Sequence, residues 1–369
     1  VTHEHPDRVT PTSMPSSRLA ALLDAVQDVG ADALVVSFLP DIRWATGFTG
    51  SNGLVVILPD AAHLVTDGRY AEQARAEASG VAVHAPGYDL IGFVAAQGWL
   101  LPGLRVAVQA DHVAVATMRA WRLAFPGVEW VETAGLAEPI VAVKTDAEVA
   151  QIVAAQRITE SVFEDVCGLI RPGVTEQELA AEIVVRHLRR GCERMAFDPI
   201  VASGPNGARP HQRPTDREMR RGDAVVLDMG GVLGGYASDM TRTVFVGEAS
   251  VEQRHVYGVV LEAQEAAVRA ARGGMTGAAL DGIARSVIAR HHYGEHFAHG
   301  LGHGIGLQTH EWPRVSYTNA EPLPVGACVT VEPGVYLEGR FGVRIEDIVH
   351  LHGDGCTNLT RADKALRVL

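Results

Sequence analysis

The stretch 223–246 reads Asp-Ala-Val-Val-Leu-Asp-Met-Gly, Gly-Val-Leu-Gly-Gly-Tyr-Ala-Ser and Asp-Met-Thr-Arg-Thr-Val-Phe-Val. Two β-branched runs joined by a glycine-rich turn predict a hairpin. Its arms place Asp228 and Asp239 in otherwise apolar strands; 327–351 repeats the form, with Glu332 ending the run 327–331 and Glu346 inside the run 341–351. An ionised carboxylate in a buried strand is costly unless something compensates it, so four converging on one core call for cations of matching charge. A metal site is the simplest source of that charge.

Between these stretches lies His299-Gly-Leu-Gly-His303-Gly-Ile-Gly, which offers an imidazole as a fifth ligand. Glycine at every second position disfavours helix and predicts an extended segment packed close to other backbone, with His299, Leu301 and His303 on one face. Carboxylates with one imidazole suit hard divalent ions such as manganese better than a structural zinc site, which prefers sulfur and nitrogen. So many bridging-capable carboxylates favour a dinuclear site.

A chain of 369 residues with 47% hydrophobic content can build one large domain or two ordinary ones, and two are expected here. The net charge of -12 argues against a general nucleic-acid or anionic-membrane binder. Four widely spaced cysteines without a Cys-x-x-Cys pair suggest neither a disulfide framework nor a thiolate metal site, and point to a reducing compartment. No apolar run approaches the roughly 20 residues of a membrane helix, and the N-terminus lacks the hydrophobic core of a signal peptide, so a cytoplasmic location is expected. Residues 1–16, polar with three prolines, are expected to be a flexible arm.

A first helix is read from Leu19, Leu22, Leu23 and Val26, stopped at Gly30. Strands at 33–38, 53–58, 63–66, 81–85, 105–109 and 129–133 alternate with helices at 69–78, 89–100 and 114–125, an α/β domain over 17–140. An α+β domain over 144–369 follows. Thr145 and Glu148 form a capping box for a helix reaching about residue 170; Thr175 and Glu178 open another, with Leu179, Ile183 and His187 on one face. Strands then dominate 197–246, helices are expected at 251–272 and 278–290, and strands return up to 351. Helix, helix, strands is thus written twice, which predicts a pseudo-twofold with the metals between the halves.

Leu-Asp228-Met-Gly, Ser-Asp239-Met-Thr-Arg-Thr, the His299 to His303 segment, His310-Glu-Trp-Pro, Glu332-Pro-Gly-Val-Tyr and Gly-Val-Arg344-Ile-Glu346-Asp together resemble the pita-bread-fold metallopeptidases that include aminopeptidase P, prolidase and methionine aminopeptidase. Thr46-Gly-Phe-Thr-Gly-Ser-Asn-Gly53 and Thr66-Asp-Gly-Arg-Tyr70 resemble the creatinase-like N-terminal domain of the proline-specific members. The resemblance implies two divalent ions, Mn2+ with Co2+, Zn2+ or Fe2+ as alternatives. Asp228 would chelate one, His303 and Glu332 the other, and Asp239 and Glu346 would bridge them. Water activated there would attack the carbonyl before proline, with Glu332 relaying its proton.

By the same resemblance His211, 17 residues before Asp228, lines the substrate pocket with His299 and His310, and His310 stabilises the oxyanion. Arg344, two residues before Glu346 on a strand, would share its face and hold a carboxylate. The expected activity is that of an Xaa-Pro aminopeptidase on proline-containing peptides, with an Xaa-Pro dipeptidase as the alternative and a non-catalytic binder or metal-free amidinohydrolase behind both. A homodimer is implied. Asp67-Gly-Arg69 is read either as a plain turn or as a contribution to a site across a subunit boundary.

Overall fold

The computed structural model describes residues 17–369, so the arm expected over 1–16 lies outside the described residues. The chain divides into two compact units, Val1–Val141 and Ala142–Leu369. Among the described residues no helix is long and apolar enough to cross a membrane.

In the first unit, α1 (Ser17–Asp28), β1 (Ala33–Val36), α2 (Leu39–Thr46), β2 (Leu54–Ile57), β3 (Ala62–Val65), α3 (Ala71–Glu77), β4 (Ala82–His84), α4 (Leu90–Gln97), β5 (Arg105–Gln109), α5 (Val115–Ala124) and β6 (Glu129–Thr133) follow in order, with α6 (Glu138–Ala142) at its end. The strands form one mixed six-stranded sheet in the order β4-β3-β2-β1-β5-β6. Helix α1 buries the expected Leu19, Leu22, Leu23 and Val26. Helix α2 is missing from the sequence reading: it is only 8 residues long, carries Pro40 in its first turn and closes on Gly47 at φ 86°, and polar Asp41 and Thr46 stand among its buried positions, which blurs the apolar spacing. The helix expected over 89–100 stops at Gln97 because Gly98 turns left-handed, φ 68°.

The second unit opens with α7 (Asp146–Cys167) and α8 (Glu176–Arg189), each started by the expected capping box. Then come β7 (Arg194–Met195), β8 (Ile200–Ser203), β9 (Ala224–Met229), β10 (Gly231–Leu233), β11 (Tyr236–Ala237) and β12 (Met240–Phe245). Between β8 and β9, where strands were expected to dominate, lies a short 3-10 turn and a loop carrying His211. The second half repeats the order: α9 (Val251–Ala270), α10 (Gly277–Arg290), β13 (Gly302–Gly304), β14 (Glu311–Val315), β15 (Cys328–Val331), β16 (Gly334–Leu337), β17 (Phe341–Arg344) and β18 (Asp347–Leu351), with β19 (Cys356–Asn358) and β20 (Arg367–Val368) at the end.

Neither hairpin is plain. β9 pairs antiparallel with β12, Asp228 facing Thr241, while the tip folds into a separate β10–β11 pair. Likewise β15 pairs with β18, and β16 pairs with β17 at the tip. The carboxylates sit where the strands change partners. Asp239 precedes β12, Glu332 follows β15, and Glu346 falls between β17 and β18 rather than inside one strand, so of the four only Asp228 lies within a strand. Freed from the regular ladder, these backbones bond elsewhere: Glu332 N–H to the Leu301 carbonyl at 2.8 Å and Glu346 N–H to the Thr241 carbonyl at 3.1 Å.

Period-two alternation sorts β9 cleanly. Val225, Leu227 and Met229 pack with Val162 and Val166 of α7 and Leu179 and Ile183 of α8. Asp228 therefore points to the opposite face. In the second half Val260 and Ala263 of α9 and Leu280 and Ala284 of α10 pack on Val329, Val331 and Val343. Each half covers one side of its sheet with two helices and leaves the other side for the polar groups.

Candidate metal centre and active site

Asp239, His303 and Glu346, all buried, offer ligand atoms within 4.8 Å of one another. His303 Nε2 lies 3.3 Å from Glu332 Oε1 and 3.8 Å from Asp239 Oδ2. Its other nitrogen, Nδ1, donates to the Gly304 carbonyl at 3.0 Å. That bond fixes Nδ1 as a donor and aims Nε2 at the carboxylates, where it donates to Glu332 when the ring is protonated and would offer its lone pair to a cation. Asp228 accepts from Arg344 Nη2 through Oδ2 at 2.7 Å, while its Oδ1 is buried with no hydrogen-bond partner among the described residues. Hydroxyls steady two of the remaining acids: Thr241 donates to Glu346 Oε2 at 2.8 Å and Thr330 to Glu332 Oε1 at 3.1 Å.

The electrostatics follow from too many acids for the cations present. Burial, then the Glu346 and Asp228 charges, pushes Asp239 well up from its ordinary value; burial, then Glu332 and Asp228, does the same to Glu346. Burial also raises Asp228, against the pull of Arg344. Burial opposes ionisation of Glu332 too, but the hydrogen bond and charge of His303 outweigh it and hold the carboxyl at about 2. One guanidinium and one imidazole do not neutralise four carboxylates. The donor set, four acids with one imidazole and an orphaned carboxylate oxygen, fits divalent cations.

Arg344, 3% exposed, spreads its guanidinium over Asp228, Thr241 Oγ1, the Tyr336 hydroxyl and the Pro210 carbonyl. Since Arg344 donates to the Tyr336 oxygen at 2.9 Å, the phenolic proton goes to His299 Nε2 at 2.8 Å. His299 Nδ1 is occupied by the Gly300 carbonyl at 2.8 Å. His299 thus lines the pocket with both nitrogens engaged by protein, and burial lowers its pKa. His310 is exposed in the cavity, its ring 4.4 Å from that of His303. Partial desolvation within the cavity and the neighbouring His303 push it down to about 4. His211 is exposed on the loop before β9.

One cavity of about 860 Å³ is lined by Asp228, Asp239, His303, Glu332 and Glu346 together with His211, His299, His310 and Arg344. The sequence reading gave no role to Tyr336, Thr241, Thr330 or Arg314. Tyr336 stood in the quoted Glu332-Pro-Gly-Val-Tyr piece, and Thr241 shares the alternation that follows Asp239, so a signal existed for both. In the first unit Asp67 caps a 3-10 turn and binds Arg69 and Asn52, a local arrangement that satisfies both charges.

Several known proteins are similar to this chain in sequence and fold. An Xaa-Pro dipeptidase of Pyrococcus furiosus is 42% identical over 224 residues, 61% of this chain and 64% of that protein. The structure of an Xaa-Pro dipeptidase from Bacillus anthracis superposes with a TM-score of 0.92 at 35% identity, covering 95% of this chain and 99% of that one. That of an X-Pro aminopeptidase from Thermotoga maritima gives 0.87 at 36% identity, covering 94% and 100%. Residues 18–140 match the creatinase/prolidase N-terminal domain and residues 150–352 match metallopeptidase family M24. Carboxylates and an imidazole gathered around one cavity, in a domain that follows such an N-terminal domain in sequence, place this chain in metallopeptidase family M24.

Proposed function

We propose that this enzyme hydrolyses the Xaa-Pro bond at the amino end of peptides, with two divalent cations held by Asp228, Asp239, His303, Glu332 and Glu346. The observation that carries this reading is the convergence of those four acids and one imidazole on a single cavity. Bound there, such ions polarise a scissile carbonyl and lower the pKa of water to near neutrality. Glu332, ionised at neutral pH, accepts and relays the proton of the attacking water at a carboxylate oxygen. Arg344 fixes Asp228 through Oδ2 and leaves Oδ1 for a cation. His310, neutral above about pH 4, donates its N–H to the developing oxyanion. The oxygen-rich set favours Mn2+, with Co2+, Zn2+ and Fe2+ able to substitute. Family resemblance supports a homodimer, and the free cysteines Cys167, Cys192, Cys328 and Cys356 support a cytoplasmic setting.

The cavity, about 860 Å³, lies toward the upper end of the roughly 300–1,000 Å³ of ligand pockets and leaves room beyond the proline. That favours an aminopeptidase. Arg314 favours a dipeptidase: it is exposed on the cavity wall with no carboxylate partner among the described residues, and the free carboxylate of a Xaa-Pro dipeptide would supply one. Comparing Ala-Pro with Ala-Pro-Ala decides. Cleavage of the tripeptide is expected, and turnover of the dipeptide alone reverses the order. In the latter case Arg314→Met should cost about 10- to 100-fold in kcat/KM.

A further inference from the structure

We propose that Lys144 is a positioning residue for His310, acting through Glu311; the proposal rests on the reading of His310 as the oxyanion donor. His310 has no side-chain hydrogen bond among the described residues, and its ring contact is with His303. Its aim is therefore inherited from its backbone. The next residue, Glu311, opens β14 opposite Gly304, and the register shifts between His303 and Gly304. The loop carrying His310 is thus the excursion between the strand that bears His303 and its neighbour. What pins the far end of that excursion is a buried ion pair between Glu311 Oε1 and Lys144 Nζ, with side chains 8% and 2% exposed.

Lys144 is itself fixed. Its N–H donates to the Gly326 carbonyl at 2.9 Å, and Val143 bridges to Ala327 at the entry to β15. The seat of the pair depends on glycine: a Cβ on Gly306 would stand 2.6 Å from Glu311 Oε1 and 2.8 Å from Lys144 Cε. The glycine run that suggested close backbone packing here makes room for two buried charges. Removing the ammonium leaves Glu311 buried and uncompensated. The carboxylate then moves toward water and carries His310 with it.

The test combines kinetics, stability and crystallography on the full-length enzyme. Lys144→Met should lower kcat about 10- to 100-fold, the scale of an ångström-sized misplacement, with KM changed by less than about threefold. Bound metal should equal that of the wild type. In a His310→Ala background Lys144→Met should add no further loss, because the two act as one unit. A folded K144M enzyme with wild-type kcat, or losses that multiply, would overturn the proposal. The double variant Lys144→Met/Glu311→Leu removes both charges and should regain thermal stability but not kcat; recovery of both makes the pair merely structural. If H310A itself keeps full kcat, the role given to His310 fails, and the crystal structure of K144M still decides the positioning claim. A displaced His310 ring supports it, and a ring still 4.4 Å from His303 overturns it.

Discussion

The catalytic unit holds two buried arginine–aspartate pairs, each joining one half to the other, and they could hardly differ more in how well they are satisfied. Arg242 of β12 binds Asp347 of β18 at 2.8 Å, and Arg344 of β17 binds Asp228 of β9 at 2.7 Å. Asp347 is fully employed: its Oδ1 accepts from Arg242 and its Oδ2 from Gln264, Asn358 and Lys364. Despite burial, Arg242 and Lys364 hold its pKa down. Asp228 keeps one oxygen orphaned, and burial lifts its pKa. The same chemical pair serves as a lock where both carboxylate oxygens are bonded, and leaves an oxygen over where the proposed function calls for a ligand.

The contrast can be broken at its active end first. Removing metal with a chelator should abolish peptidase activity by more than about 1,000-fold, since ion-borne stabilisation is worth several kcal/mol; added Mn2+ should restore it, and an unaffected rate would refute a metal-dependent site. Asp239→Asn, which removes a charge shared by the cluster, should cost about 100- to 1,000-fold in kcat while leaving the thermal midpoint of the metal-free protein unchanged or raised. Activity assays beside calorimetry check both halves of that statement.

At the locked end the balance inverts. Arg242→Met should destabilise the fold by about 3–5 kcal/mol, the cost of stranding one partner of a buried pair. Arg344→Met should cost less stability and more activity, which denaturant melts and kcat would separate. The smallest effect is a pH dependence. Asp347 titrates lower folded than its ordinary 3.8, so its contribution is present above 3.8 and fades as pH falls below that value. Asp347→Asn should therefore be less stable than wild type at neutral pH, and the gap should narrow on acidification below pH 3.8. A gap that stays constant over that range would contradict the assignment.

What could be read in advance depended on whether a residue was out of place in its own neighbourhood. Acids in β-branched runs and histidines among alternating glycines are such residues, and all nine of the side chains picked out on those grounds or by resemblance line one cavity. Arg314 is an ordinary residue in an ordinary strand, and although their positions marked out Tyr336 and Thr241, it is the partners brought to all three by the fold that give them a part. The same limit applies to Lys144 and Glu311, separated by 167 positions. The longer helices announced themselves through capping boxes and apolar spacing, and the short α2 did not. The split of each hairpin into an outer and a tip pair did not, because alternation tells which face a residue takes and says nothing of which strand lies beside it.

The exchange of arginines between the halves has a consequence for how such a unit can be taken apart. A half expressed by itself would own an arginine with no acid and an acid with no arginine, both in its interior. Two fragments, split in the turn between β12 and α9, would have to find each other before either could close its core.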